Sequence, residues 1–100
     1  MIIVSGEIPV RADLIAEAKE LARWVMAETA KEKGCITYRF YSDLEKPELF
    51  RVFEEWESDE ALAGHFKAPH MQEFKDKVGA LLAGVPRITR YEVANSGPLG

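Results

Sequence analysis

The sequence predicts an α+β domain with the element order β-α-β-β-α-β. This is the ferredoxin-like arrangement, in which a four-stranded antiparallel sheet carries both helices on one face. Three observations carry the prediction: a β-branched run opens the chain, a long stretch of helical periodicity follows, and two adjacent β-rich runs precede a second helical stretch and a last β run.

Residues 1–9, rich in Ile and Val and closed by Pro9, read as the first strand. From Ala12 to about Lys31, Leu14, Ala18, Leu21, Ala22, Val25 and Met26 recur at three- and four-residue spacing, with charges between them. That spacing predicts an amphipathic helix, with Trp24 off its main apolar stripe, half-exposed or at a dimer contact. Gly34 suits a helix-ending turn, and "CITYRFY" after it has the composition of a second strand. Ser42, Asp43 and Pro47 supply turn chemistry before "FRVFEEW", which alternates Phe50, Val52, Glu54 and Trp56 on one face with Arg51, Phe53 and Glu55 on the other. The two runs therefore form a hairpin. Ser58 is placed to cap the next helix, and Asp59 and Glu60 sit in its first turn, where the helix dipole favours negative charge. Pro69 interrupts that helix and is suited to start another, which runs to about Leu82 before Gly84. "VPRITRYEV" supplies the fourth strand. Residues 1–94 thus form one domain, and 95–100, without core-forming residues, are expected to be a flexible tail.

A chain of 100 residues, 47% hydrophobic and 30% charged, suits one folded core and argues against disorder. With 13 basic and 17 acidic side chains the net charge is −4, a poor starting point for binding nucleic acid. Cys35 stands alone, which excludes an internal disulfide and any CxxC framework. The opening "MIIVSGEIPVR" lacks the basic segment of a signal peptide, and no membrane span is visible, so the expected compartment is the cytoplasm.

Large side chains fall on both faces of the hairpin: Tyr38 and Phe40 oppose Tyr41, and Trp56 opposes Phe53. A sheet with one solvated face does not need them. A second copy covering the bare face would account for them, which predicts a two-fold homodimer.

The stretch "GCITYRFYSDLEKPELFRVFEEWESDEALAGHFKAPHMQEF" resembles the antibiotic biosynthesis monooxygenase (ABM) domain. Members share a glycine-led second strand, an E-x-W-E/S end to the third strand and an H-x-x-x-P-H helix break. Here these are "EEWES" and "HFKAPH", joined by "RYEV" near the end, so the likeness spans Met1 to about Val93. It is closest to the quinol monooxygenases and implies a dimeric α+β barrel that oxygenates an aromatic phenol, quinol or polyketide with dioxygen and no cofactor. Relatives that degrade haem carry a tryptophan at the place of His65 and a histidine near Lys75; neither is present, so haem is not expected.

The histidines are His65 and His70. On a continuous helix five residues turn the chain ~140° past a full turn, which points the rings apart, so no metal site is expected. The remaining chemistry is proton transfer. Oxygenation without a cofactor needs a substrate anion to give electrons to dioxygen, and histidine is the side chain whose ordinary pKa suits the base. His65 is the expected catalytic residue. Trp56, Phe66, Tyr38 and Phe53 are candidates for an aromatic substrate pocket, with Tyr91 and Arg39 as donors to a substrate oxygen; core packing, or pairing of the last two with Glu54 or Glu7, is the competing use of each. Two other functions compete with oxygenation: a non-catalytic dimeric ligand-binding or stress-response protein, and a sugar-phosphate isomerase using Arg39, Lys67, Arg87 and Arg90.

Overall fold

The computed structural model describes all residues, Met1–Gly100. Strand β1 spans Ile2–Pro9, helix α1 Ile15–Thr29, β2 Cys35–Ser42, β3 Leu49–Trp56, α2 Asp59–Lys67, α3 Pro69–Val78 and β4 Arg87–Glu92. Single 3₁₀ turns precede α1 at Ala12–Leu14 and follow α3 at Gly79–Leu81. The first helix is therefore shorter than its periodicity suggests, because its first turn is wound more tightly. Residues beyond Glu92 form no helix or strand and, from Ala94 on, are exposed.

The strands lie in the order β2-β3-β1-β4, every neighbouring pair antiparallel. This is the ferredoxin-like sheet, and β2 and β3 form the expected hairpin. Along β1, Ile2, Val4 and Ile8 are buried on the helix face; along β3, Phe50, Val52, Glu54 and Trp56 are. Helix α1 contributes Ala18, Ala22 and Val25, α2 Leu62 and α3 Met71. Full burial of a side chain such as Val25 or Val52 stabilises the fold by about 1.5–3 kcal/mol.

One glycine sets how closely the sheet's edge strand approaches. A Cβ on Gly6 would lie 2.5 Å from the carbonyl oxygen of Arg87 and from Cα of its register partner Ile88. No side chain fits between the two backbones there.

The register puts Ile3 beside Tyr91, and Phe53 between Ser5 and Arg39 on the face turned away from the helices. Large side chains thus occupy both faces. Trp24 is half-buried at the edge of the core, with Lys77 Nζ 5.7 Å from its ring centroid. No helix is long and apolar enough to cross a membrane.

Candidate functional site

The site is built at a break between two helices. Ser58 caps α2, its hydroxyl oxygen accepting the Ala61 amide at 3.2 Å, and Asp59 and Glu60 complete an acidic first turn. Helix α2 then reaches Ala68, whose backbone is extended (φ −67°, ψ 141°). Pro69 imposes this: its ring disfavours helical geometry in the residue before it, and it has no N–H to continue the ladder. The same proline starts α3 at its first position.

The break corrects the expectation that His65 and His70 point apart. That rotation holds only on one continuous helix axis, and the chain changes direction between them. The ring centroids are 6.1 Å apart, and both rings meet one carboxylate. Nδ1 of His65 and Nε2 of His70 each donate to Oε2 of Glu32 at 2.7 Å.

Glu32 reaches them from the turn between α1 and β2. Its amide donates to the Thr29 carbonyl at 2.9 Å, and its own carbonyl accepts from Cys35 at 3.3 Å. Gly34 closes that turn at φ 85°, a backbone region that favours glycine, and a Cβ there would meet the Ala61 Cβ at 2.5 Å. The turn is thereby held against α2, the helix that carries His65.

The ring of His65 lies 4.7 Å from Trp56 and 5.2 Å from Tyr38, centroid to centroid. His65 is 1% exposed and Trp56 0%, so a substrate reaches them only if neighbouring side chains move. Beside them Glu54 is buried on the same sheet face and accepts the Trp56 indole N–H at 2.9 Å.

Burial sets the protonation states. It lowers the pKa of His65, against the opposing pull of the Glu32 hydrogen bond, so the ring is neutral at pH 7. It raises Glu54 to about 7, with the Trp56 hydrogen bond opposing, so this carboxyl is partly protonated near neutrality. Tyr38 is pushed up by burial and then by the charges of Glu54 and Glu32. Cys35 is raised by burial, Glu32 and Glu54, the opposite of an activated nucleophile.

Of the side chains singled out in the sequence, the fold brings His65, Trp56 and Tyr38 together. Phe66 is 55% exposed and lines a separate groove with Leu62, Ile88 and Arg90. Phe53 and Tyr91 lie on the outer sheet face. Arg39 borders a cleft of about 220 Å³ between α1 and β2, where Met26 and Phe40 supply apolar lining. Phe40 connects that cleft to the site, its ring 5.8 Å from Tyr38. Glu54 faces the core, away from Arg39 and Tyr91, and pairs with neither.

Three members of the cluster escaped the sequence reading. Glu54 left a signal, a lone acid on the otherwise apolar face of "FRVFEEW". His70 lies in the first turn of α3, and only the change of direction at Pro69 reveals that it meets His65. Glu32 left none, since it stands among the charges of "KEKG" at a helix end.

Comparison with known proteins adds to this geometry. The family model described as antibiotic biosynthesis monooxygenase matches residues 1–77. The chain belongs to the antibiotic biosynthesis monooxygenase family. It is 36% identical over 98 residues to an uncharacterised protein of Synechocystis, covering 98% of this chain and 67% of that one. Among solved structures, a conserved protein of Methanosarcina mazei superposes with a TM-score of 0.86 at 31% identity, over 90% of this chain and 89% of the other. A proposed antibiotic biosynthesis monooxygenase of Deinococcus radiodurans reaches 0.92 at 26% identity, over 100% and 99%. The matched segment of this chain contains Glu32, Glu54, Trp56, His65 and His70.

Proposed function

We propose that this ABM protein is a monooxygenase for a small phenol, hydroquinone or aromatic polyketide, with His65 as the base. The observation that carries the reading is a buried neutral imidazole, oriented through Nδ1 by Glu32 and packed between Trp56 and Tyr38. His65 removes a phenolic proton, and the anion reduces dioxygen by one electron. The semiquinone and superoxide join at carbon as a hydroperoxide, which loses water. For a hydroquinone the balance is one quinol and one dioxygen to one hydroxyquinone and one water, all four electrons coming from the substrate.

The cleft beside Phe40 and Met26 favours small substrates. Its volume of about 220 Å³ lies below the ~300–1,000 Å³ of sites for drug-sized molecules. Methionine is a flexible gap-filler, suited to a wall that opens toward Tyr38. Oxygen uptake with menadiol, in excess of autoxidation, checks the reading. Uptake should fall at least tenfold in His65→Gln, and rates equal to buffer across several hydroquinones would refute it.

The near-complete burial of His65 and Trp56 favours one alternative, a non-catalytic ligand-binding or stress-response protein of the same fold. That alternative gives a ligand-dependent rise in Tm without turnover.

The same reading includes a cytoplasmic homodimer closed over the outer sheet face. Ile3, Phe53 and Tyr91 there, with Tyr41 54% exposed, supply apolar surface beside the Arg51–Glu7 pair.

A further inference from the structure

Three metal-ligating side chains from three separate segments converge at the Pro69 break. Glu32 comes from the turn after α1, His65 from the end of α2 and His70 from the start of α3. Their donor atoms lie within 4.8 Å of one another. We propose that they bind a divalent transition-metal ion, of the zinc, cobalt or ferrous class, through Nδ1 of His65, Nε2 of His70 and the Glu32 carboxylate.

The donor set fits that class: two imidazoles and one carboxylate leave a coordination position free, the pattern of open zinc sites and of non-haem iron sites. Bonds of ~2.0–2.2 Å to each donor place tetrahedral ligands about 3.3 Å apart. The carboxylate therefore backs away from both rings, now at 2.7 Å, while His70 swings toward His65. The side chains with room to adjust are the right ones. Those of Glu32 and His70 are 15% and 13% exposed, whereas that of His65, at 1%, is fixed between Trp56 and Tyr38. Each ring shifts its proton to the other nitrogen, so a neutral pair binds the ion without net proton release.

Charge supplies a second, independent argument. Neither Glu32 nor Glu54 pairs with a lysine or arginine: their side-chain hydrogen-bond partners are the two imidazoles and the Trp56 indole. A divalent ion provides the missing positive charge. Glu32 also lines an open cleft of about 510 Å³ with Gly34, Ser58, Gly64 and Ala68, through which the ion and a water ligand can arrive.

The ion competes with the proton-accepting role for the same ring, so the site does not rest on the proposed reaction. The test is titration of untagged, chelator-stripped protein with cobalt(II), read by visible d–d absorption, and with zinc(II), read by calorimetry. One ion per chain at micromolar Kd or tighter is expected, weakened by about tenfold or more in His70→Ala and in Glu32→Gln. His70→Cys, which restores a ligand, should recover binding, and unchanged circular dichroism guards against misfolding. No cobalt band at ~1 mM, or equal affinity in all variants, would overturn the proposal. In a chain that does oxidise hydroquinones, zinc binding that leaves the rate unchanged would overturn it too, since the ion would then lie elsewhere. A cobalt band in a chain without oxidation supports the site and sinks only the oxygenase reading.

Discussion

At the scale of single residues, the cluster is a set of polar groups whose protonation is governed by burial. Glu54 and His65 pull stability in opposite directions with pH. Glu54 is raised from an ordinary 4.5 to about 7, so its contribution is full below 4.5 and is lost as pH rises through 7. His65 is lowered from 6.5, so its contribution is present above 6.5 and is lost as pH falls through the folded value. Glu54→Gln, which keeps an oxygen for the Trp56 indole, should raise stability at pH 8 by about 2 kcal/mol and change it little at pH 4.5. Thermal melts at the two pH values check this, and an equal effect at both would contradict it. Thr29 offers a simpler case: its hydroxyl is buried without a hydrogen-bond partner. Thr29→Val, similar in shape, should stabilise by about 1 kcal/mol in urea titrations. A loss of stability would mean that the hydroxyl has a partner after all. Residue roles were the least legible part of the sequence. Trp56 and Tyr38 are aromatic like Phe53 and Tyr91 on the opposite face, and nothing in residue type distinguishes the two pairs. Strand alternation did separate Trp56 from Phe53, but only the packed helices say which face is inside.

At the scale of elements, the turn between α1 and β2 and the break between α2 and α3 place the cluster. Both rest on one special residue. Gly34→Ala meets a positive φ and the Ala61 Cβ at 2.5 Å together. It should cost about 2 kcal/mol or more by urea denaturation, from left-handed strain plus the steric clash. A change within ±0.5 kcal/mol would show the turn to be adaptable. Helix and strand positions were legible because periodicity, capping and turn residues agree locally: Ser58 and Pro69 mark helix starts by chemistry that needs no tertiary contact. The meeting of His65 with His70 was not legible, because it depends on how far the chain turns at Ala68. Sequence identifies that break without giving its angle.

At the scale of the molecule, the helix-covered face holds the site, and the proposed dimer places a second copy on the outer face. Light scattering at micromolar concentration should give twice the 11.3 kDa of one chain, and Phe53→Lys on the outer face should shift it toward the monomer. A monomeric wild type would remove the basis for the barrel. The four-stranded order was readable from the succession of elements, since few antiparallel topologies satisfy short connections and one buried face. The substrate was not, because the space between α1 and the sheet is set by side-chain packing that no local pattern encodes. The most direct test of the central claim is mass spectrometry of the product formed from a hydroquinone under ¹⁸O₂. One ¹⁸O atom per hydroxyquinone is expected with the wild type, formed well above the rate in buffer and largely lost in His65→Gln. An unlabelled simple quinone, or labelling at the same rate without protein, would contradict it.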